Sequence, residues 1–254
     1  TGKTKVAKME GGYHGFLDDF SFSAHPNASK ADDDLEHIVP QPESAGIPAN
    51  RAEDVVLLTQ NNIEVSEKLI REHADELACV VMELQSGSGG IVTLDKAFVK
   101  RIREITKELG IVLIFDETIT IRAYKGGLQS WYGVKPDLTI SGKTLGGGIP
   151  LGVVGGSNEV MDVVTKDIVQ MSGTHHGHRL ACAAGIAILK QLDDVAYKRL
   201  TWSAQCCSDG GWCDCSNQLS AFTWAGSRHY WNTIYSFNGV GLYVELFCSF
   251  WYGR

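Results

Sequence analysis

No apolar run in this 254-residue chain approaches the roughly 20 residues a helix needs to cross a bilayer, so no membrane partner is expected. Basic charge is short as well: 23 Lys and Arg stand against 30 Asp and Glu, for a formal net charge of −7. A nucleic-acid partner requires a basic stripe that releases counterions, and none is available. The opening "TGKTKVAKMEGG" lacks an initiating Met and the features of a signal or transit peptide, so the chain is expected to begin inside a longer protein. Cysteine is sparse before residue 200, with only Cys79 and Cys182, both in apolar segments where a reduced thiol acts as a small hydrophobe. The body therefore reads as cytoplasmic.

A phosphate loop is also lacking. "ISGKTLGGGIPLG" (Ile140–Gly152) contains Gly-Lys-Thr, but the glycine required five residues upstream is replaced by Asp137. Nucleotide hydrolysis is thereby disfavoured, and Lys143 needs another explanation. Lysine is among the residues least often buried, yet this one follows an apolar stretch and precedes Gly146, Gly147 and Gly148.

After a polar stretch at 21–50, helix-like and strand-like patterns alternate. "IEVSEKLIREHADELA" puts Val65, Leu69, Ile70, His73 and Leu77 at helical spacing. "CVVMEL" (Cys79–Leu84) and "IVLIFDE" (Ile111–Glu117) read as strands buried on both faces. Between them "TLDKAFVKRIREITKELG" predicts a helix with Leu94, Phe98, Ile102, Ile105 and Leu109 on one face, Thr93 as its cap and Gly110 as its end. Further strands are expected at Asp137–Ser141 and Gly152–Gly156, and a closely packed small-residue helix at "RLACAAGIAILKQL". This alternation predicts an α/β fold with a mostly parallel sheet flanked by helices. Ligands in such sheets bind beyond the carboxyl ends of the strands, where the pattern places Glu83, Asp116 and the Ser141–Lys143 region.

A lysine amine in a desolvated pocket can form an imine with an aldehyde. A pyridoxal cofactor then also requires a carboxylate at its ring nitrogen. Asp116, at the end of "LIFD" and 27 positions before Lys143, is the candidate; taken alone it could equally be a loop acid at a strand end.

The stretch "LIFDETITIRAYKGGLQSWYGVKPDLTISGKTLGGGIPLGVVGG" resembles the cofactor-binding core of class III pyridoxal-phosphate-dependent aminotransferases, near the glutamate semialdehyde aminomutase branch. "TGKTKVAKMEGGYHG" and "SGTHHGHRLACAAGIAILKQL" resemble two further family segments, so the likeness spans about residues 1–198. It implies the large domain of a fold-type-I enzyme over residues 1–200, incomplete at its N-terminus. It also implies pyridoxal 5′-phosphate as cofactor and amino-group transfer between an amine or amino acid and a keto acid or aldehyde. An intramolecular amino shift, as in the aminomutase, would use the same residues.

By the same resemblance, Lys143 holds the cofactor covalently and shuttles the substrate proton, while Asp116 pairs with the ring nitrogen. Tyr13 stacks on one ring face, with half-buried aromatic as its plain alternative, and His14 is either a pocket residue or a structural histidine. Thr118 lies near the opposite face, where the family has valine. Glu83 is near the cofactor or is a solvated strand-end acid; the family's following proline is Leu84 here. Thr174 donates to the cofactor phosphate across a dimer interface, which makes a homodimer the expected assembly. Arg122 could meet a substrate carboxylate, with a solvated loop arginine as the other reading. The family's N-terminal phosphate-cradling loop is not in this sequence, so weak cofactor retention is expected.

"THHGHR" (Thr174–Arg179) departs from the family's Asn-Pro at His178-Arg179, and its three histidines invite a metal reading. No metal is expected, because the nearest further ligand, Cys182, sits in a packing helix. From Thr201 onward there is no lysine, a single glutamate at Glu245, five of the six tryptophans, and Cys206, Cys207, Cys213, Cys215 and Cys248. The cysteine spacing is not that of a zinc site. Residues 201–254 read as an aberrant tail, translated out of frame or joined from elsewhere, in place of a small C-terminal domain. A non-catalytic or metal-binding protein built on the histidines and tail cysteines is the alternative from another class.

Overall fold

The computed structural model describes residues 1–26 and 34–200, together with the backbone of two strands near the C-terminus. Six strands form one sheet in the order β2-β1-β3-β4-β5-β6: β1 (Lys5–Met9), β2 (Val55–Leu58), β3 (Leu77–Met82), β4 (Val112–Asp116), β5 (Leu138–Ser141) and β6 (Val153–Gly156). The first five run parallel, and β6 pairs antiparallel with β5. The α/β architecture expected from the alternating pattern is thus present. β1 and β2 lie outside the strands expected from the sequence. β1 carries lysines at Lys5 and Lys8 that break its apolar pattern, and β2 has only four residues.

Both faces of β1–β4 are covered, which is why β3 and β4 read as nearly unbroken apolar runs, whereas β6 is exposed at Val153 and Val154. On one face Ala7, Met9, Val80, Met82, Leu113 and Phe115 pack against α1 (Ile63–Glu72) and α2 (Lys96–Glu108) through Leu69, Ile70, Phe98 and Ile102. On the other, Val6, Val55, Leu57, Cys79 and Val81 pack against Phe22 and the irregular segment that follows it. Burial pushes the Cys79 thiol up to about 11, so it is a core hydrophobe rather than a nucleophile.

Two local expectations are corrected. α1 stops at Glu72, and Leu77 opens β3 instead of ending the helix. The amides of Glu76 and Leu77 bond back to the His73 carbonyl in a turn, and fully buried Leu77 meets Leu69 and Ile70 in the same cluster. Helical spacing cannot distinguish a residue on the helix from one packed against it. At α2 the N-cap is Asp95, not Thr93; Thr93 instead bridges to Gln85, whose amide donates to the Thr93 hydroxyl at 3.0 Å. Gly110 does end α2, in the left-handed conformation at φ 66°.

α3 (Leu128–Tyr132) and α4 (Asn158–Thr165) flank β5 and β6 in sequence, and α5 (Arg179–Gln191) follows. α5 packs closely only along Ala181, Gly185 and Ile188; Leu180, Ile186, Leu189 and Cys182 are exposed. A side chain at Gly185 would stand 2.8 Å from Leu151, so the close approach depends on that glycine. β7 (Trp231–Phe237) and β8 (Val240–Leu246) form an antiparallel pair. The remainder of 201–254, including the tail cysteines, lies outside the described residues.

Candidate active site

Four consecutive strands of the sheet, β1-β3-β4-β5, deliver the sequence-predicted residues to one edge. Tyr13 and His14 follow β1, Glu83 follows β3, Asp116 ends β4, and Lys143 lies two residues beyond β5. Residues separated by more than a hundred positions meet because parallel strands end on the same side.

His14 Nδ1 lies 3.0 Å from Asp116 Oδ2, with the two side chains 2% and 8% exposed. The Thr118 amide donates to the other carboxylate oxygen, Oδ1, at 3.0 Å. Burial drives the Asp116 pKa upward, but the His14 contact and the Thr118 bonds outweigh it and hold the carboxyl below its usual range. An ionised Asp116 only accepts, which assigns the proton to His14 Nδ1. His14 Nε2 is buried and has no hydrogen-bond partner among the described residues. The His14 side chain is thus buried and braces the Asp116 carboxylate.

Glu83 is only 6% exposed, which removes the solvated-acid alternative. Its carboxylate accepts from the Tyr13 amide at 3.0 Å and the Gly87 amide at 3.4 Å. Burial raises its pKa, against the pull of the Tyr13 bond. Glu83 therefore fixes the backbone that carries Tyr13. Tyr13 is half-buried and meets Phe16 edge-on at 6.0 Å.

Lys143 is exposed and adopts φ 48° at the head of the short turn Lys143–Gly146. That conformation costs a non-glycine residue about 1–2 kcal/mol, and such strain concentrates at functional positions. The register pairs Asp116 with Ile140, three residues before Lys143. The Thr118 methyl would lie 3.6 Å from a side chain placed on Gly142, so Thr118 links the Asp116 carboxylate to the backbone next to Lys143. Lys143 also borders an open cavity of about 1260 Å³, lined in part by Ile149, Leu151, Met161, His175 and His176. Asp116, His14 and Glu83 do not line that cavity; they form the buried polar cluster behind the neighbouring strand ends.

Thr174 stands apart, exposed in the turn 174–177. His178 Nδ1 accepts from the Ala181 amide at 3.4 Å and caps α5. Among the described residues, no three His, Cys, Asp or Glu side chains gather to hold a metal ion. The tail cysteines of the metal-binding alternative lie outside the described residues.

Two buried charged residues escaped the sequence reading. Glu117, fully buried, accepts from the amides of Leu128 and Gln129 at 3.0 and 2.6 Å and from the Thr120 hydroxyl, closing the loop after β4. Lys8, also fully buried, donates to the Phe22 carbonyl. The available signal was a charge inside an otherwise apolar segment in each case.

The chain belongs to the family described as Aminotransferase class-III, which matches residues 1–205. Among its relatives is the glutamate-1-semialdehyde 2,1-aminomutase of Methanobrevibacter smithii, 39% identical over 202 residues, covering 79% of this chain and 45% of that protein. The enzyme of the same description from Persephonella marina is 40% identical over 196 residues, covering 76% and 44%. Among solved structures, an omega-transaminase from Sphaerobacter thermophilus superposes with a TM-score of 0.70 at 38% identity, covering 77% of this chain and 45% of that one. A glutamate-1-semialdehyde-aminomutase from Pseudomonas aeruginosa PAO1 gives a TM-score of 0.59 at 26% identity, covering 74% and 42%. The chain thus spans a little under half the length of these relatives.

Proposed function

We propose that the protein is a pyridoxal-phosphate-dependent enzyme that moves an amino group between an amine or amino acid and a keto acid or aldehyde. An intramolecular shift of the aminomutase kind remains the second reading, favoured by the likeness to the M. smithii and P. marina proteins. The observation that carries the proposal is the placement of Lys143 and a charge-stabilised Asp116 past adjacent parallel strand ends. The residues fit the cofactor. An accessible amine borders a cavity, a buried carboxylate is held ionised, and a solved relative is described as a transaminase with PLP bound.

When bound, pyridoxal phosphate supplies an aldehyde carbon and a ring that withdraws electrons once its nitrogen is protonated. The Asp116 carboxylate, its two oxygens fixed by His14 and Thr118, would hold the proton of that nitrogen by charge. Lys143 Nζ would hold the cofactor through its aldehyde carbon and, when freed by a substrate amine, would carry the proton of the substrate α-carbon. Tyr13, its backbone held by Glu83, would cover one face of the ring, and Thr118 would border the other. Glu83 would act through the backbone of Tyr13.

The reading extends to a homodimer in which Thr174 serves the neighbouring subunit's cofactor phosphate. Support comes from the exposure of Thr174 and of nearby Ile168, Val169 and Met171. A cytoplasmic setting suits the free thiols of Cys79 and Cys182. Among the described residues no helix is long and apolar enough to cross a membrane.

The test is borohydride reduction of the chain with pyridoxal phosphate, followed by peptide mass mapping. The adduct should fall on Lys143 and vanish in Lys143→Ala. An adduct spread over surface lysines would sink the reading. Substrate screening with amine–keto acid pairs against a lone amino aldehyde separates intermolecular from intramolecular transfer.

A further inference from the structure

Lys8 is out of place by every local rule. It sits in β1, next to the centre of the sheet, and is completely buried. Lysine is rarely buried without a charged partner at hand, yet the one hydrogen bond of its ammonium among the described residues goes to a neutral carbonyl, that of Phe22. Burial lowers its pKa to about 8, although the carboxylates of Glu43, Glu83 and Glu10 act to raise it. An apolar residue would serve the core better at this position, since Val6, on the same face of the strand, packs in an apolar cluster with Phe22.

The position of that carbonyl supplies a reason. The chain leaves β1 at Met9, carries Tyr13 and His14 around a loop, and returns to the sheet at Phe22. Two long bonds close the loop. The Gly11 amide donates to the Ser23 carbonyl at 2.7 Å, and the Lys8 ammonium reaches Phe22 next to it. Within the loop, the Ser21 hydroxyl meets the Gly15 carbonyl at 3.4 Å. Gly11–Ser23 is a backbone bond any sequence could make; the Lys8 bond belongs to one side chain.

We propose that Lys8 is a positioning residue: its buried ammonium anchors the return of the 10–22 loop at Phe22 and thereby holds Tyr13 and His14 against Glu83 and Asp116. This rests on the reading of Tyr13 and His14 as site residues. The lysine is kept at a cost to stability for what it holds in place.

Lys8→Met, which keeps the stem and removes the charge, separates the two effects. The thermal midpoint at pH 7 should stay level or rise. The downfield NMR signal of the His14 Nδ1 proton should be lost or broadened, and the affinity for pyridoxal phosphate, read from visible absorbance, should fall roughly tenfold or more. An unchanged imidazole signal overturns the proposal. So does a loss of the signal that only accompanies a falling thermal midpoint, because Lys8 would then be merely structural.

If Lys8→Met does not fold, hydrogen exchange on the unaltered chain in low urea decides. The amides of 11–21 should lose protection at the same urea concentration as the Lys8 ammonium bond, before β3 and β4 open. Loop amides that open while the ammonium stays bonded overturn the proposal. An unaltered chain whose borohydride-trapped adduct spreads over surface lysines would refute the functional reading, and the imidazole signal would still decide the role of Lys8.

Discussion

The imidazole of His14 and the carboxylate of Asp116 are 102 positions apart in sequence and 3.0 Å apart in space. Each gives the other its state: the ionised acid fixes the proton on Nδ1, and the N–H keeps the buried acid ionised. Asp116 has a folded pKa below its ordinary value, so it contributes stability that is present above that value and lost as pH falls through the folded one. His14→Phe should raise the Asp116 pKa, weaken this acid-side contribution, and lower stability at pH 7 by about 1–3 kcal/mol through an under-bonded buried carboxylate. Urea denaturation and carboxyl carbon NMR titration measure the two effects.

Asp116→Asn keeps the shape and the acceptor for the Thr118 amide but removes the charge. An asparagine NH2 facing His14 would donate, so the imidazole proton should move from Nδ1 to Nε2, visible in nitrogen-15 shifts. Amino transfer should fall on the order of a hundredfold or more, the scale at which a preorganised electrostatic partner acts. A variant with wild-type turnover would remove Asp116 from the site.

Lys8 should leave a mark on the pH dependence of stability. Its folded pKa of about 8 lies below the ordinary lysine value of 10.5. The unfolded chain therefore binds more protons across that window, and stability rises with pH through it. The full penalty, on the order of 3 kcal/mol, applies below about pH 8 and is gone above about pH 10.5. Urea midpoints of the wild type should climb between these values, and Lys8→Met should lack that climb.

Glu117→Ala strips three donors of a buried acceptor: the Thr120 hydroxyl and the amides of Leu128 and Gln129. Unmet buried donors cost about 1–3 kcal/mol each and do not add simply, so a loss of roughly 3 kcal/mol is expected. Glu117→Gln should recover part of it, because the amide oxygen still accepts. Denaturation of both variants tests this, and equal stability of the two would show that the carboxylate's bonds contribute little.

Lys143, Asp116 and Glu83 were legible as candidates because parallel strands put their carboxyl ends on one edge, and the apolar runs ending at Leu84, Asp116 and Ile140 marked where those ends fall; Tyr13 was a candidate only through the resemblance of its Tyr-His-Gly stretch to a family segment. The role of Glu83 was not legible. Whether a strand-end acid faces solvent or an amide depends on the neighbouring strand, here β1, whose lysines concealed it. Thr93 and Leu77 illustrate the same limit at smaller scale, since capping and packing are decided by partners that local spacing does not reveal.

The sequence by itself determined the alternation of strands and helices, the amine just after one apolar stretch, and the acid that ends another. These are periodic or local properties, readable from neighbouring residues. Only the tertiary structure decided that His14 is the partner of Asp116, that Glu83 holds the backbone of Tyr13, and that a lysine is buried beneath the loop carrying both. Each depends on which strands lie side by side and on how much water they exclude, and one chain read in order contains neither.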